Sequence, residues 1–383
     1  MLFVATGALA KPSDFLVDLW TSDNDLPDSS VTAITQTPDG YLWIGTYNGL
    51  ARFDGVRFTT FDPANTPELK NPRIFGLFTD PRGTLWISTF DGSVTSYRDG
   101  VFKYEWQCGQ IVSAFFPSNR TYLATLGRGV AVGINNGQSN LWQTLNEDPP
   151  SASSFCQDAS GTIWCLLRDG RIKWISGTNV LSLPDNAGLG TEKVNCITAD
   201  QSGRIWIGTS KWIAHWNGDH FEDATPTNSE TVTNVSFLYC SSTNDFWAFV
   251  NDSVRHAVNG RWVTNAASWR DLLQTSPIYI GAYQEQNGDV WFRNYGQGLF
   301  HAGTDGTLER ISSATGLPGD RVSAWFQDRE GNLWVGVDRG GLVRLRKKLF
   351  HVIGLDDNFA VSTICEDSRN NVWIGTFENG LNR

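Results

Sequence analysis

Short runs of β-favouring residues follow one another along this 383-residue chain and are separated by turn dipeptides. The stretch 39–61 shows the arrangement most clearly. In order, it contains Asp39-Gly40, Tyr41–Thr46, Asn48-Gly49, Leu50–Phe53, Asp54-Gly55 and Phe58–Phe61. Turn dipeptides between such runs are typical of antiparallel strands joined by hairpins. With the preceding run Val31–Gln36, the pattern predicts a meander of four strands.

The same unit recurs along the chain, most often as Asp-x-x-Gly-x followed by an apolar residue and Trp. Its anchor positions are Trp43, Trp86, Leu123, Trp164, Trp206, Trp247, Trp291, Trp334 and Trp373. The copy at Trp247 lacks the glycine, and Leu123 stands where a tryptophan is expected. Neighbouring anchors are 37 to 44 residues apart. Four strands recurring every ~40–50 residues is the pattern of a β-propeller, so we predict an all-β fold of four-stranded antiparallel blades.

Strand direction predicts which loops share a face of the propeller disc. We name the strands of each blade a to d in chain order, with the Trp in strand b. Because the strands alternate in direction, the a–b and c–d turns lie on one face, here called the turn face. The b–c and d–a loops lie on the other, here called the loop face. The turn face carries the regular Asp-x-x-Gly turns and is interpreted as scaffold, and the variable loop face is interpreted as the recognition surface.

The repeat closely resembles a known family. The pattern D-x-x-G-x-L-W-I-G-T-x-x-G-L-x-R-F-D-G, and the segment Leu26–Ile34 before its first copy, are similar to the two-component regulator propeller repeat. The resemblance runs from about Phe15 to Arg383. It implies the extracytoplasmic sensor region of a bacterial histidine kinase or hybrid two-component protein. A C-terminal region would then carry an immunoglobulin-like domain, a membrane span and a cytoplasmic output domain.

The ends of the chain predict how the ring closes. Phe15–Trp20 is an isolated β-favouring run, expected to be the outermost strand of the last blade. The eighth unit has Arg346-Lys347-Lys348 at its c–d turn, without glycine, so the chain is expected to leave the ring there. This favours eight blades, while seven stays open because sensors of this family are usually seven-bladed rings in tandem. The predicted regions are 1–12, a signal-peptide remnant or flexible lead; 13–348, the propeller; and 349–383, the truncated start of a further blade.

The short apolar run Leu2–Ala10 bears on location. It is too short to span a bilayer, and it is similar to the end of a secretory signal, although a basic segment before it is missing. With the family resemblance, it predicts the periplasmic or extracellular side of a bacterial inner membrane, the full-length protein being membrane-anchored.

Net charge and the spacing of ligand-type residues exclude several classes of function. A net charge of −10 and a pI near 5.0 argue against nucleic acid and against an anionic membrane surface. The six cysteines show no metal spacing and are interpreted as buried strand residues; Cys156 and Cys165 are the one disulfide pair left open. His215, His256 and His301 share one repeat position with Arg52, Lys173, Arg344 and Arg383, which indicates a polar strand face. We therefore predict no metal and no cofactor.

The Asp and Trp of the repeat are similar to the Asp-box of sialidases. The Asp is expected to cap the backbone N–H groups of the turn, and the Trp to wedge between neighbouring sheets. The structural anchors are thus Trp43, Trp86, Trp164, Trp206, Trp247, Trp291, Trp334 and Trp373. No nucleophile elbow, P-loop or zinc motif is present, and no catalytic residue is predicted.

The b–c loops supply the candidate ligand-binding residues. Aromatic, Asp, Asn and Arg side chains around the channel mouth would suit a sugar or another polar small molecule. The candidates are Tyr47, Asn48, Phe90, Asp91, Arg128, Arg168, Trp212, Asp252, Tyr295, Asp338 and Arg339.

The function predicted is a non-enzymatic sensor module that binds a small molecule or an oligosaccharide, with a homodimer partner left open. The alternatives are a glycoside hydrolase or polysaccharide lyase on the same scaffold, and a protein-interaction scaffold. An acidic pair or a Tyr/Arg cluster at the channel mouth would favour the enzyme. A plugged mouth beside an exposed apolar patch would favour the scaffold.

Overall fold

The computed structural model describes most of the chain. The described residues are 15–107, 109–116, 120–125, 129–135, 140–144, 152–176, 179–184, 186–227, 231–242, 245–250, 253–263, 280–285, 288–294, 296–303, 307–347, 361–367, 371–376 and 381–382. Within these ranges helix is limited to two 3-10 turns, Ser22–Asn24 and Ser313–Thr315. No helical segment there has the length and apolar character needed to cross a bilayer.

The first strand is β1 (Phe15–Trp20), and the blades follow it in chain order. Blade 1 contains β2 (Val31–Gln36), β3 (Leu42–Thr46), β4 (Gly49–Phe53) and β5 (Phe58–Phe61). Blade 2 contains β6 (Ile74–Thr79), β7 (Leu85–Thr89), β8 (Ser93–Arg98) and β9 (Val101–Gln107). Blade 3 contains β10 (Ile111–Phe115), β11 (Arg120–Thr125), β12 (Gly129–Asn135) and β13 (Asn140–Thr144). Blade 4 contains β14 (Ala152–Gln157), β15 (Ile163–Leu167), β16 (Ile172–Ser176) and β17 (Asn179–Ser182).

The remaining strands repeat the arrangement. Blade 5 contains β18 (Val194–Ala199), β19 (Ile205–Thr209), β20 (Ile213–Trp216) and β21 (Phe221–Asp223). Blade 6 contains β22 (Phe237–Ser242), β23 (Asp245–Val250), β24 (Ser253–Val258) and β25 (Arg261–Trp262). Blade 7 contains β26 (Ile280–Gln284), β27 (Val290–Asn294), β28 (Gly298–Ala302) and β29 (Leu308–Ile311). Blade 8 combines β30 (Val322–Gln327), β31 (Leu333–Val337) and β32 (Gly341–Lys347) with β1.

These blades form a β-propeller, which confirms the predicted fold class. The described residues contain eight four-stranded sheets, the larger of the two blade numbers that the sequence allowed. Consecutive strands within blades 1–7 pair antiparallel in the order a, b, c, d. The a strands contact one another in order from blade 8 through blade 1 to blade 7, so they are the innermost strands of the ring.

The anchor tryptophans join each blade to the next, as the sequence predicts. Trp43 is fully buried and packs in a cluster with Ile74, Leu77 and Ile87 of blade 2. The same contact with the following blade is made by Trp86, Trp164, Trp206, Trp247 and Trp291. Trp334 of blade 8 packs with Ile34 and Leu42 of blade 1 and thereby closes the circle. Each junction thus depends on a large apolar side chain buried between two sheets.

In blade 3 the residue on this face is Tyr122, not Leu123, so the sequence prediction is wrong by one position. Tyr122 packs against blade 4 with Ile163 and Cys165, while Leu123 packs backwards against Trp86 of blade 2. Side chains of a strand alternate between faces, so a shift of one residue exchanges the two neighbours.

An Asp in the a–b turn caps backbone N–H groups, as predicted, and in several blades it also accepts the indole N–H of the anchor tryptophan, which the sequence did not predict. One carboxylate oxygen of Asp158 accepts the backbone N–H groups of Ser160 and Thr162, both at 2.9 Å, and the other accepts the indole N–H of Trp164 at 2.9 Å. The same three bonds are made by Asp80, Asp200 and Asp328. We call this set of bonds the Asp–Trp clasp.

Two blades use another acceptor in the clasp. In blade 1 the indole N–H of Trp43 donates to the Thr37 hydroxyl at 2.9 Å, and that hydroxyl donates to Asp39 at 2.6 Å. In blade 7 the indole N–H of Trp291 donates to the Glu285 carboxylate at 2.7 Å. The acceptor is retained in both cases because a buried indole N–H left without one is destabilising.

The closing strand β1 takes the outer position in blade 8 that the sequence predicts for it. Trp20 stacks on Trp334 at 5.4 Å and lies edge-on to Phe53 of blade 1, also at 5.4 Å. Asp18 forms ion pairs with Arg344 at 2.9 Å and Arg346 at 3.0 Å. Aromatic stacking and paired charges therefore bind the first strand to the last blade.

Residues Lys347–Arg383 form a second compact unit, apart from the unit Met1–Arg346. It contains β33 (Val361–Glu366), β34 (Val372–Thr376) and β35 (Leu381–Asn382), which form one three-stranded sheet. Asp367 accepts the backbone N–H of Asn371 at 3.0 Å and the indole N–H of Trp373 at 2.9 Å, which are two of the three bonds of the Asp–Trp clasp. That this unit starts a second ring stays a prediction.

Candidate functional site

On the loop face, aromatic and cationic side chains of blades 1 and 2 converge. The guanidinium carbon of Arg73 lies 5.0 Å from the ring centre of Tyr47 and 4.6 Å from that of Phe90. The Tyr47 and Phe90 rings meet edge to face at 5.5 Å, and Phe75 packs edge-on to Phe90 at 5.2 Å. We call these four residues the Tyr47–Arg73–Phe90 cluster. Tyr47 is 38% exposed, so the cluster presents an aromatic surface beside a cation to solvent.

Two hydrogen bonds to the backbone of Phe90 hold the cluster in place. The N–H of Phe90 donates to the carbonyl of Arg73 at 2.9 Å, which ties the b–c loop of blade 2 to the loop that enters it. The side-chain amide of Gln110, at the start of blade 3, donates to the Phe90 carbonyl at 2.7 Å. The Arg73 charge is shared between two rings, an arrangement worth ~0.5–1 kcal/mol at an exposed site.

Sequence reasoning missed Arg73 because it considered only the b–c loops. Arg73 lies in the d–a loop between β5 and β6, which shares the loop face by strand direction. That signal was available in the sequence. The contact with Tyr47 and Phe90 needs the lateral packing of two blades, which the sequence does not give.

The polar candidates beside the cluster shape the loops. Asn48 is exposed, and its backbone N–H donates to the Thr46 hydroxyl at 3.2 Å. Asp91 accepts the Thr89 hydroxyl at 2.6 Å and the backbone N–H of Ser93 at 3.1 Å. Partial burial would raise the pKa of Asp91, but these bonds outweigh it and lower that pKa. Asp91 is therefore a carboxylate that holds the turn beneath Phe90.

The candidates of blades 4 and 5 lie apart from the cluster. Arg168 is exposed, beside an Asp169 carboxylate that pairs with Arg171 at 2.6 Å. Trp212 is half-buried against the core shared by blades 4 and 5. Its neighbour Lys211 pairs with Glu192. Trp212 thus contributes mainly to packing.

The remaining candidates lie in blade 8 or outside the described ranges. The backbone N–H of Asp338 donates to the Arg321 carbonyl at 2.9 Å, and its carboxylate lies 3.9 Å from the Arg321 guanidinium. Arg339 is exposed and adopts a left-handed backbone conformation with φ of 58°. Arg128, Asp252 and Tyr295 lie outside the described residues. Of the eight described candidates, the structure brings Tyr47 and Phe90 into contact.

The repeat position of the histidines is not the polar strand face that the sequence indicated. His256 stacks flat on Trp247 at 4.2 Å, His301 lies 4.5 Å from Trp291, and Arg344 lies 5.4 Å over Trp334. This position pairs with the anchor Trp across strands b and c, so its side chain packs on the indole. Lys173 was assigned to it wrongly, since the residue opposite Trp164 is Trp174.

The disulfide left open by the sequence does not form. Cys156 and Cys165 are both free thiols. Cys156 pairs in register with Trp164 and packs towards blade 5, whereas Cys165 pairs with Phe155 and packs towards blade 3. The two side chains lie on opposite faces of one sheet. Burial raises the pKa of Cys165 to about 12, which keeps it a thiol.

Five segments of the chain match the two-component regulator propeller family, at residues 25–48, 68–91, 188–211, 316–339 and 354–378. This chain carries two-component regulator propeller repeats. Each matched segment spans strands a and b with the turn between them, which is the part of the blade that contains the clasp. The family resemblance drawn from the sequence is thereby confirmed.

Known proteins with similar sequence or structure cover different shares of the chain. Histidine kinase P4 of Formosa agariphila is 39% identical over 66 residues, which are 17% of this chain and 5% of that protein. The extracellular domain of a protein assigned as a hybrid two-component system of B. thetaiotaomicron is 20% identical, with a TM-score of 0.41, over 94% of this chain and 58% of that one. Virginiamycin B lyase of Staphylococcus aureus is 13% identical, with a TM-score of 0.51, over 86% of this chain and 99% of that one. At 13% identity, the likeness to the lyase shows the fold alone.

Proposed function

We propose that this chain is the ligand-sensing propeller of an exported bacterial signalling receptor of the two-component type, without catalytic activity of its own. The proposal is supported by the two-component regulator propeller repeats and by the local similarity to a histidine kinase. The chain matches only 5% of that kinase, so the output region belongs to the proposal. The receptor would act on the periplasmic or extracellular side of the inner membrane.

The ligand would bind at the Tyr47–Arg73–Phe90 cluster. The observation that carries this assignment is the exposed aromatic surface with a guanidinium between two rings, on the face made of variable loops. The cluster holds a single arginine, whereas a glycosidase would need several arginines beside a Tyr nucleophile or a pair of opposed carboxylates, so it does not favour the enzyme. Aromatic faces pack against the apolar side of a sugar ring, and a guanidinium donates several hydrogen bonds to hydroxyl or carboxylate oxygens. A small polar molecule or an oligosaccharide is the class that fits this chemistry.

Signalling would follow from a shift of population. A ligand can only favour one arrangement of the receptor if it binds that arrangement more tightly than the other. The cluster joins loops of two blades and a side chain of a third, so occupancy would stiffen this sector of the loop face. The output region, or a second copy of the receptor, would respond to that change.

Isothermal titration calorimetry of the 383-residue chain against a panel of polysaccharide-derived oligosaccharides tests the proposal. At least one member should bind, and Tyr47→Ala and Phe90→Ala should each weaken it by about tenfold or more, which is about 1.4 kcal/mol. Tyr41→Ala is the matched control. Tyr41 also lies under an arginine, with Arg52 at 4.4 Å, but it belongs to the a–b turn on the opposite face.

Three outcomes would contradict parts of the proposal. If no oligosaccharide of the panel binds while the far-UV circular dichroism spectrum shows a folded chain, that result would count against a sugar ligand. Equal loss of affinity in Tyr41→Ala and Tyr47→Ala would remove the site from the loop face. Release of new reducing ends from a bound oligosaccharide would replace the sensor by a glycoside hydrolase or a polysaccharide lyase.

A further inference from the structure

On the turn face of blade 7, two carboxylates and an imidazole converge. Glu285 and Asp289 flank the a–b turn between β26 and β27, and His301 lies on the neighbouring strand β28. One ligand-type atom from each of the three side chains lies within 4.8 Å of the others. In the described part of the chain this is the one group of His, Cys, Asp and Glu with such a geometry. We propose that these three residues bind a divalent transition-metal ion of the Zn²⁺ class.

The distance between the His301 and Asp289 side chains suits an ion bound between them better than a direct hydrogen bond. The His301 Nε2 atom lies 3.6 Å from an Asp289 oxygen, which is longer than a hydrogen bond. Two ligands at ~2.05 Å from a tetrahedral zinc ion are about 3.3 Å apart. The Asp289 and His301 side chains are only 13% and 14% exposed, so an ion between them would be largely screened from water. The third member is Glu285, whose ligand atom lies within 4.8 Å of those of Asp289 and His301.

The surrounding residues hold the ligands in place. The His301 ring lies 4.5 Å from the Trp291 indole and meets Phe15 of the closing strand edge-on at 6.0 Å. Glu285 accepts the Trp291 indole N–H at 2.7 Å. Hydrogen bonds to ligating carboxylates and packing against ligating imidazoles orient a metal site and raise its affinity.

Blades 5 and 6 have a histidine at the position of His301, but each lacks one of the two carboxylates of blade 7. In blade 6 His256 bonds directly to Asp245 at 2.8 Å, which leaves no room for an ion, and Ser241 stands where blade 7 has Glu285. In blade 5 Arg204 stands where blade 7 has Asp289. A carboxylate at both turn positions, together with the histidine, is thus particular to blade 7 among these three.

The donor set indicates the class of metal. Imidazole and carboxylate ligands without a thiolate favour Zn²⁺ and the neighbouring divalent transition metals, whereas Ca²⁺ and Mg²⁺ prefer oxygen ligands alone. Three protein ligands leave one position of a tetrahedral ion for water. Because Phe15 contacts the His301 ring, the ion would also stabilise the packing of the closing strand against blade 7.

The site lies on the face opposite to the Tyr47–Arg73–Phe90 cluster, so its test is independent of the sensor proposal. The full chain is stripped with chelator, dialysed and titrated with Zn²⁺ in competition with a chromogenic chelator. One ion should bind per chain, and Zn²⁺ should raise Tm. Glu285→Gln and Asp289→Asn should each weaken binding by at least about tenfold. Glu285→Gln keeps an oxygen acceptor for the Trp291 indole, so folding is retained.

Asp245→Asn in blade 6 is the matched control, and it should bind Zn²⁺ as the wild type does. With Co²⁺ the wild type should show visible absorption bands that the Asp289→Asn variant lacks. Failure of the stripped chain to take up Zn²⁺ would overturn the proposal. Equal binding in all variants would also overturn it, because the uptake would then be adventitious.

Discussion

The Asp–Trp clasp of blade 5 gives the sharpest prediction about stability. Asp200 is 6% exposed, and one of its oxygens accepts the backbone N–H groups of Ser202 at 2.9 Å and Arg204 at 3.0 Å. Its other oxygen accepts the Trp206 indole N–H at 3.0 Å. Asp200→Ala removes both acceptor oxygens, and with them these three bonds, and leaves an indole N–H buried between blades 5 and 6.

The expected loss follows from the environment of each donor. The Trp206 side chain is 3% exposed, so its unpaired N–H cannot reach water and should destabilise by ~1–3 kcal/mol. The two turn N–H groups lie near the surface and can be hydrated, at ~0.5–1 kcal/mol each. We therefore expect Asp200→Ala to lower the free energy of unfolding by about 3 kcal/mol. Urea denaturation followed by far-UV circular dichroism measures this change.

The chain itself supplies a rescue variant. In blade 1 the Thr37 hydroxyl accepts the indole N–H of Trp43 at 2.9 Å. Asp200→Thr should therefore recover about 1–2 kcal/mol relative to Asp200→Ala. Asp219→Ala removes a carboxylate that is 82% exposed and should change stability by less than about 0.5 kcal/mol. A loss below about 1 kcal/mol in Asp200→Ala, or equal losses in the Ala and Thr variants, would refute the role assigned to the indole bond.

The clasp also predicts a dependence on pH. Burial would raise the pKa of Asp200, but the hydrogen bonds from Ser202, Trp206 and Arg204 outweigh it and lower that pKa. The stabilisation is therefore complete above the ordinary Asp pKa of about 4 and is lost as the pH falls through the lower folded value. The difference between wild type and Asp200→Ala should shrink in that acid range.

Three further predictions concern ring closure and pH. Asp18→Ala removes the partly exposed ion pairs to Arg344 and Arg346 and should lower the free energy of unfolding by ~1 kcal/mol. It should also speed cleavage before β1 in limited proteolysis. Unchanged cleavage would contradict the role of Asp18 in closure. Gly341→Ala puts a Cβ at a φ of +92° only 2.2 Å from the Trp20 carbonyl, so Tm should fall by more than for Asp18→Ala. Burial lowers the pKa of His215, so stability should fall as the pH drops below ~6.5. The difference in Tm between pH 7.5 and 5.5 should therefore be smaller in His215→Gln than in the wild type. An identical difference in the two proteins would contradict this.

The sequence by itself determined the repeat and hence the fold class. The turn dipeptides, the Asp of the a–b turn and the anchor Trp act within a single hairpin, so their consequences can be read locally. The Asp cap of the turn follows from those residues, and the Trp was expected between neighbouring sheets because the motif is similar to the Asp-box. The closing strand could be predicted as well, because an unpaired β-favouring run such as Phe15–Trp20 has one free edge to join.

The tertiary structure decided everything that depends on register or on contact between blades. Tyr122 replaced Leu123 at the anchor because one residue of register exchanges the two faces of a strand. Arg73 joined Tyr47 and Phe90 only because two blades pack side by side. The Glu285 carboxylate reaches His301 across three strands, and no spacing along the chain records such a distance. Local pattern thus specifies each blade, whereas the proposed sites lie where blades and strands meet.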